Sequence, residues 1–277
     1  MSYKSILVHL DTSARAHERL KIALQLAHQF DARLIGVFST RIPDPHGFLV
    51  NTAECYMDHK RQYYECCKAM ERLFHAELAR AQVKGEWVAV NGHANEAVPP
   101  YTHLVDLIIV GQTDPKDPES FIAEQFVEHI VLCAGRPVLV VPSTGPAEVS
   151  GKHVLIAWDG SREATRAIHD AMPLLGRAKN VTLLTVNAMR AEPPRYRIPG
   201  ADIALTVARH GVKIDVREIT VDQEIPVGEV LLAQAMELGC GLIVMGGYAH
   251  SRLHELILGG VTRTILESMT VPVLLSH

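Results

Sequence analysis

Residues 242–249 read Leu-Ile-Val-Met-Gly-Gly-Tyr-Ala, and residues 258–262 read Leu-Gly-Gly-Val-Thr. The four apolar residues predict a buried parallel strand, with glycines at its carboxyl end. A second glycine pair, Gly259 and Gly260, stands where the next helix is predicted to begin. Glycines at a strand end and at a helix N-terminus expose backbone N–H groups, an arrangement that binds phosphate groups. We interpret the remainder of the chain as a scaffold for this loop, or as an altered second copy of it.

The chain alternates short apolar runs with helical patterns, and this alternation predicts an α/β fold with buried parallel strands. The first apolar run, residues 5–10, ends at Asp11, and a run of the same kind, residues 153–158, ends at Asp159. The order of runs and helical stripes after each aspartate is the same. We therefore expect two doubly wound parallel sheets of five strands each, with strand order 3-2-1-4-5.

Residue spacing supports an internal repeat. Asp11 and Asp159 are 148 residues apart, whereas Gly111 and Gly246 are 135 residues apart. The first repeat therefore carries 13 extra residues. A long helical pattern at residues 54–82 is the simplest place for this insertion.

A turn-rich segment at residues 144–151 separates the two repeats. The predicted domains are residues 1–143 and residues 152–277. Their last strands, residues 137–141 and 271–275, are short and apolar, and such edge strands need partners. We therefore expect the two domains to pack through these strands as an internal pseudo-dimer.

The composition describes a globular protein without a nucleic-acid or membrane partner. Of 277 residues, 48% are hydrophobic and 21% are charged, and the net charge of −4 provides no basic surface for nucleic acid. No apolar run approaches the roughly 20 residues of a membrane-spanning helix, and no signal-peptide pattern is seen. Five cysteines without a framework spacing favour reduced thiols. These features predict a cytoplasmic protein.

In the second domain, the glycines are accompanied by groups that suit an anionic ligand. Thr262 offers a hydroxyl, and His250, Arg252 and Arg263 offer positive charge. Asp159 ends the neighbouring strand, where a carboxylate can accept hydrogen bonds from a ribose or a base. The alternative interpretation is structural, with tight turns at the glycine pairs and a helix cap at Asp159.

The corresponding loop of the first domain lacks these features. The spacing of 135 residues pairs three positions with acidic or bulkier residues: Ala249 with Asp114, Gly259 with Glu124, and Gly260 with Gln125. Carboxylates at these positions would repel a polyphosphate and fill the space that it needs. The first domain is therefore predicted to have a degenerate site that does not bind nucleotide.

The pattern Gly246-x2-Ala249-x9-Gly259-Gly260, with Val-Met-Gly, Leu-Gly-Gly-Val-Thr and Val-Pro-Val-Leu around it, resembles the universal stress protein family in its tandem-repeat form. Nucleotide-binding members of that family carry Gly-x2-Gly-x9-Gly-Ser/Thr after the fourth strand and an aspartate after the first. Here an alanine replaces the second glycine, and a glycine replaces the hydroxyl residue. The resemblance covers nearly the whole chain except the extra helical segment.

The resemblance implies a site for ATP or a related adenine nucleotide in the second domain. It places Asp159 and its two predecessors at the adenosine end, Val186 beside the base, and the glycine loop on the phosphates. The implied contact residues are Ala157, Trp158, Asp159, Val186, Met245, Gly246, Ala249, Gly259, Gly260, Val261 and Thr262. The resemblance also implies that two chains can form a homodimer.

A metal site is the weaker interpretation of one helical segment. Cys55 and His59 are spaced i,i+4, which can chelate zinc. A polar helix face with partly buried thiols is the favoured interpretation, so no metal site is predicted.

The leading hypothesis is a stress-response sensor or regulator that binds an adenine nucleotide without fast catalysis. No Walker-type sequence, nucleophile elbow or evident general base is present. Two alternatives stay open: a ligand-free protein-interaction module in which both sites have decayed, and a weak ATPase.

Overall fold

The computed structural model describes residues 2–40, 53–145, 149, 152–187, 200–222, 224–247 and 259–277, with the side chains of residues 53–60 left out. These residues form two compact units. The first unit is Tyr3–Ile130, and the second is Val131–His277 together with Ser2.

The first unit is a parallel sheet with strand order β3-β2-β1-β4. Its strands are β1 (Ser5–Leu10), β2 (Arg33–Phe38), β3 (Gly85–Ala89) and β4 (Leu107–Gly111). Its helices are α1 (Ala16–Phe30), α2 (Ala53–Ala81), α3 (Ala94–Ala97), α4 (Pro99–Thr102) and the beginning of α5 (Phe126–Cys133).

The second unit contains a six-stranded sheet with order β5-β10-β9-β6-β7-β8. Its strands are β5 (Val138–Val141), β6 (His153–Ala157), β7 (Asn180–Val186), β8 (Ile214–Ile219), β9 (Leu242–Gly246) and β10 (Val273–Ser276). Its helices are the end of α5, α6 (Arg162–Leu175), α7 (Gly200–Ala208), α8 (Val227–Glu237) and α9 (Gly260–Ser268). Neighbouring strands are parallel except β5 and β10, which are antiparallel.

The predicted α/β fold and strand order are confirmed. In the second repeat the order β8-β7-β6-β9-β10 is 3-2-1-4-5, and the four strands of the first unit follow the same order, 3-2-1-4. The central strands β1, β4, β6 and β9 are mainly apolar, without an alternation of apolar and polar residues, and most of their residues are buried. Such strands belong to sheets that are covered by helices on both faces.

The last strands of the two repeats pair with each other, as predicted. β5 runs antiparallel to β10, with Leu139 opposite Leu274 and both side chains fully buried. Because of this pairing, β5 belongs to the second compact unit, although it ends the first repeat. The domain boundaries at residues 143 and 152, and the wider pseudo-dimer, stay predictions.

The helical insertion in the first repeat is the 29-residue helix α2. Phe74 of this helix is fully buried against β2, where a Cβ on Gly36 would lie 2.8 Å from its ring. A glycine at this position thus lets the helix pack closely on the sheet. The residues after β3 form two short helices, α3 and α4, rather than one, because Pro99 and Pro100 begin a new turn.

Two further observations concern the described residues. None of the described helices is long and apolar enough to cross a membrane. Among the described cysteines, none of Cys66, Cys67, Cys133 and Cys240 forms a disulfide bond.

Replacing Leu274 with alanine is expected to lower the free energy of unfolding of the second unit by about 2–5 kcal/mol, because a fully buried leucine leaves a cavity. Urea titration in a Trp87→Phe background, where Trp158 reports on this unit, measures the effect. The matched control is Leu205→Ala, since Leu205 is 61% exposed. Equal shifts in the two variants would contradict the assigned β5–β10 core.

Candidate functional site

The carboxyl ends of β6, β7 and β9 form one edge of the second sheet. β6 pairs with β7 through Ala157 and Leu184, and with β9 through Ile156 and Val244. Parallel strands end on the same side, so this register brings several candidate residues to a common edge. They are Ala157, Trp158, Asp159, Val186, Met245 and Gly246.

Asp159 is exposed at the centre of this edge. Its Oδ1 accepts a hydrogen bond from the backbone N–H of Ser161 at 2.9 Å. The cap of α6 is Ser161, whose hydroxyl oxygen accepts from the N–H of Ala164 at 3.0 Å. The helix-cap interpretation of Asp159 is therefore wrong, and its carboxylate faces solvent at the strand end.

The other residues of the adenosine end differ in exposure. Trp158 and Met245 are each only 4% exposed, so both lie beneath the surface of this edge. Ala157 and Val186 are half-buried and line its surface.

Gly246 is required by packing. A Cβ at this position would lie 2.5 Å from the backbone nitrogen of Ala164 and 2.7 Å from the carbonyl carbon of Glu163. Backbone atoms cannot move aside as a flexible side chain can. Gly246 thus allows the first turn of α6 to pack directly on the end of β9, a role that needs no ligand.

Gly259 and Gly260 have no such packing role. A Cβ on either residue would meet no described atom within 4 Å, and neither has a positive φ. Gly259 is the N-cap of α9, makes no side-chain cap, and is followed by a first turn without an acidic residue. No described residue fills the space at these two positions, and the positive end of the helix dipole lies at this turn.

The remaining phosphate candidates are distributed as follows. Val261 is half-buried, and Thr262 is 3% exposed in the first turn of α9. Arg263 is committed to an ion pair, because its Nε donates to Glu267 at 2.7 Å. Ala249 lies outside the described residues, as do His250 and Arg252.

The matching edge of the first unit is occupied by its own side chains. Asp11 is 3% exposed, and its Oδ2 accepts a hydrogen bond from the guanidinium of Arg19 at 2.7 Å. Burial opposes ionisation of Asp11, but Arg19 and the hydrogen bonds from Ser13 outweigh burial and hold its pKa below the usual range. Asp11 therefore serves as an internal counter-ion to Arg19.

His9 extends this buried polar group. Its Nε2 shares a hydrogen bond with the hydroxyl of Ser39 at 2.7 Å, and its backbone carbonyl accepts from Arg19 Nε at 2.7 Å. Burial lowers the pKa of His9 from 6.5 to about 4. The negative charge of Asp11, 3.8 Å away, raises this pKa and only partly offsets the effect of burial. His9 is accordingly neutral at pH 7.

Arg19 is the residue that motif reasoning missed. It lies eight residues after Asp11, and the same offset from Asp159 leads to Ala167, which is fully buried. The two aspartates occupy matching positions, but only one has a guanidinium to pair with. This difference can be seen in the sequence when the two repeats are compared outside the glycine loop.

The metal interpretation gains no support among the described residues. Cys55 and His59 both lie on α2, but their side chains are outside the described part of the chain. Elsewhere in that part, no cluster of three His, Cys, Asp or Glu residues could hold a metal ion.

The profile of the universal stress protein family matches residues 151–277. These residues belong to the universal stress protein family. The match covers the second unit from just before β6, and thus the whole glycine-containing edge. No curated protein is similar enough in sequence to match the chain.

Solved structures extend the likeness in fold to both repeats. A universal stress protein from Archaeoglobus fulgidus DSM 4304 is 17% identical, covers 98% of this chain and 95% of its own, and has a TM-score of 0.71. A putative universal stress protein from Pseudomonas aeruginosa UCBPP-PA14 is also 17% identical, covers 99% and 93%, and has a TM-score of 0.61. These values show a shared tandem architecture.

In the universal stress protein domain, adding a methyl group is expected to change the free energy of unfolding differently at Gly246, which packs against α6, and at Gly260, where a Cβ would meet no described atom. Gly246→Ala should lower the free energy of unfolding by about 1–3 kcal/mol through overpacking against α6. Gly260→Ala should leave it unchanged or raise it by up to about 1 kcal/mol, because the site is open and the unfolded chain loses entropy. Urea titration followed by Trp158 fluorescence compares the two, and the reverse order would contradict these roles.

His9 is expected to make the first unit acid-sensitive. Unfolded His9 takes up a proton near its ordinary pKa of 6.5, whereas the folded imidazole does so only near pH 4. Stability is thus lost as the pH falls through this window, by about 3 kcal/mol. The lowered pKa of Asp11 acts in the same direction.

The measurement is urea unfolding between pH 7.5 and pH 4 in a Trp158→Phe background, where Trp87 reports on the first unit. His9→Gln should flatten the pH dependence, whereas His28→Gln, which alters an exposed histidine, should leave it as in the parent. A slope that persists in His9→Gln would rule out His9 as its source.

Proposed function

We propose that the second domain binds ATP or a related adenine nucleotide, and that the protein acts as a cytoplasmic stress sensor or regulator without fast catalysis. The observation that carries this proposal is the pair Gly259 and Gly260. Both residues lack a side chain at the start of α9, although neither packing against the described residues nor backbone conformation requires a glycine. A ligand that approaches the bare backbone supplies the missing reason.

The first turn of α9 is suited to phosphate oxygens. The first N–H groups of a helix have no partner within the helix and can donate to phosphate oxygens, and the helix dipole favours negative charge at this end. No acidic residue in this turn competes for the same position. The predicted phosphate contacts are Gly246, Ala249, Gly259, Gly260, Val261 and Thr262, of which Ala249 lies outside the described residues.

The adenosine end of the proposed site is the edge formed by β6 and β7. Asp159 presents an exposed carboxylate that can accept hydrogen bonds from ribose hydroxyls or from the base. Val186 and Ala157 offer apolar surface beside it, while the buried Trp158 and Met245 support it from below.

The described groups at this edge support the proposal that turnover is slow. Asp159 is the one exposed carboxylate among residues 157–161, 186–187, 245–247 and 259–263, and none of these residues is a lysine. Phosphoryl transfer requires metal-bound carboxylates, a group that orients the nucleophile, and charge stabilisation at the transferred phosphate. We therefore propose a binding protein whose ligand stabilises one state, by about 2.7 kcal/mol at a ligand concentration of 100 times Kd.

Equilibrium binding of labelled ATP tests the proposal. Wild type is expected to bind about one nucleotide per chain, and Gly259→Asp should bind at least about ten-fold more weakly because a carboxylate enters the phosphate position. Aspartate is a favoured N-cap, so this variant keeps the helix intact. The control with the same charge change is Leu205→Asp at an exposed position of α7.

Two results would overturn the proposal: no binding by wild type, or equal binding by wild type and Gly259→Asp. The first result would favour a ligand-free interaction protein. Hydrolysis at a rate that survives Asp159→Ala would point to an ATPase centre elsewhere in the chain.

A further inference from the structure

We propose that side chains of the first repeat close the edge of its sheet that corresponds to the candidate nucleotide site. Arg19 and two carboxylates of the closing loop, defined as residues 112–125, hold this edge shut without a ligand. Only the comparison with the second domain rests on the proposed function. The closure itself rests on contacts within the first unit.

Arg19 draws the edge aspartate inward. Its guanidinium donates to Asp11 Oδ2 and to the carbonyl oxygen of His9, both at 2.7 Å. Gly111 at the end of β4 makes room for this group, since a Cβ there would lie 2.0 Å from a guanidinium nitrogen. As a result Asp11 is 3% exposed, whereas Asp159 at the matching position is exposed to solvent.

The closing loop places two carboxylates on the residues that lead into α1. Asp117 Oδ2 accepts a hydrogen bond from the N–H of Ala14 at 2.8 Å, and the carboxylate of Glu119 accepts one from the hydroxyl of Thr12. The N-cap residue of α1, Arg15, makes no side-chain cap of its own. The chain thus supplies its own anion at the positive end of this helix.

The closing loop is held in one arrangement by further hydrogen bonds. The hydroxyl of Ser120 accepts from the N–H of Asp114 at 2.7 Å and lies 2.8 Å from the carbonyl oxygen of Asp117, to which it can donate. The side-chain amide of Asn95 donates to the carbonyl of Glu124 at 3.0 Å. This loop therefore presents its carboxylates without the aid of a ligand.

The sequence of the second repeat replaces these two carboxylates with an arginine and a histidine. A spacing of 135 residues pairs Asp117 with Arg252, and Glu119 with His254. Arg252 and His254 lie outside the described residues, so the comparison is one of sequence. An acidic loop can dock on its own helix terminus, whereas a basic loop calls for an anion from outside. Ligand response is therefore expected in the second half of the protein alone.

Hydrogen exchange on the full-length protein without nucleotide tests the closure. In Asp117→Ala/Glu119→Ala, the amides of residues 12–15 and 114–121 should exchange at least about ten-fold faster, because two charge-assisted hydrogen bonds are lost. The control Glu65→Ala/Glu96→Ala removes the same charge from exposed positions of the same unit and should exchange like wild type. Exchange within two-fold of wild type in the loop variant would overturn the proposal.

A second variant tests Arg19 without removing its charge. Arg19→Lys cannot donate to both Asp11 and His9 with the planar fork of arginine, so the amides of residues 11–15 should again exchange about ten-fold faster. Arg80→Lys, at a side chain that is 76% exposed, is the matched control. Unchanged exchange in Arg19→Lys would remove Arg19 from the closure.

Repeating the exchange experiment with ATP separates the two proposals. Protection that rises in residues 242–265 and not in residues 5–125 is the expected result. ATP protection of residues 11–15 in wild type would overturn the closed first repeat. Absence of any ATP effect would overturn the proposed function but not the closure, which is measured without nucleotide.

Discussion

The parallel pairing of β6 with β7 on one side and β9 on the other is the constraint on which the candidate site depends. Because all three strands run in the same direction, their last residues meet at one edge, and the loops that follow them emerge together. A shift of one residue in either register would turn the side chains at the strand ends to the opposite face. The buried apolar runs of β6 and β9 keep this register in place.

The two repeats stabilise the same strand–helix junction by different physical means. In the second repeat, α6 contacts the end of β9 directly because Gly246 carries no side chain. In the first repeat, the guanidinium of Arg19 fills the corresponding space beside Gly111 and pairs with Asp11. Removing one partner of a buried ion pair leaves an uncompensated charge, so the junction in the first repeat tolerates little change at Arg19 or Asp11. One fold has thus produced an open edge and a filled edge.

Apolar periodicity was sufficient to predict the strand order, the repeat, the long helix α2 and the β5–β10 contact, because these depend on burial and on strand length. It was not sufficient to distinguish the roles of the glycines. Gly246 and Gly260 look equivalent in sequence, yet Gly246 lies against the backbone of α6, whereas a Cβ on Gly260 would meet no described atom within 4 Å. That difference depends on how far a helix stands from a strand, which no local pattern records.

Side-chain pairing was the other feature that local patterns did not reveal. Two acidic residues of the closing loop, Asp114 and Glu124, were predicted only to exclude a polyphosphate, by repulsion and by filling its space. The hydrogen bonds of Asp117 and Glu119 to the segment before α1 require two stretches about 100 residues apart to meet. The same is true of Arg19, whose partner became evident only when α1 was placed on the sheet.

The antiparallel pairing of β5 with β10 also determines where the chain can be divided. The turn-rich segment at residues 144–151 looks like the natural place to separate the halves, but a cut there removes β5 from the sheet in which it is packed. A fragment that begins at residue 152 would expose the apolar edge of β10, Val273 to Leu275, to pairing with other molecules. A fragment that begins at Val131 keeps that edge covered. An isolated second half is therefore expected to stay monodisperse only if it retains β5, the last strand of the first repeat.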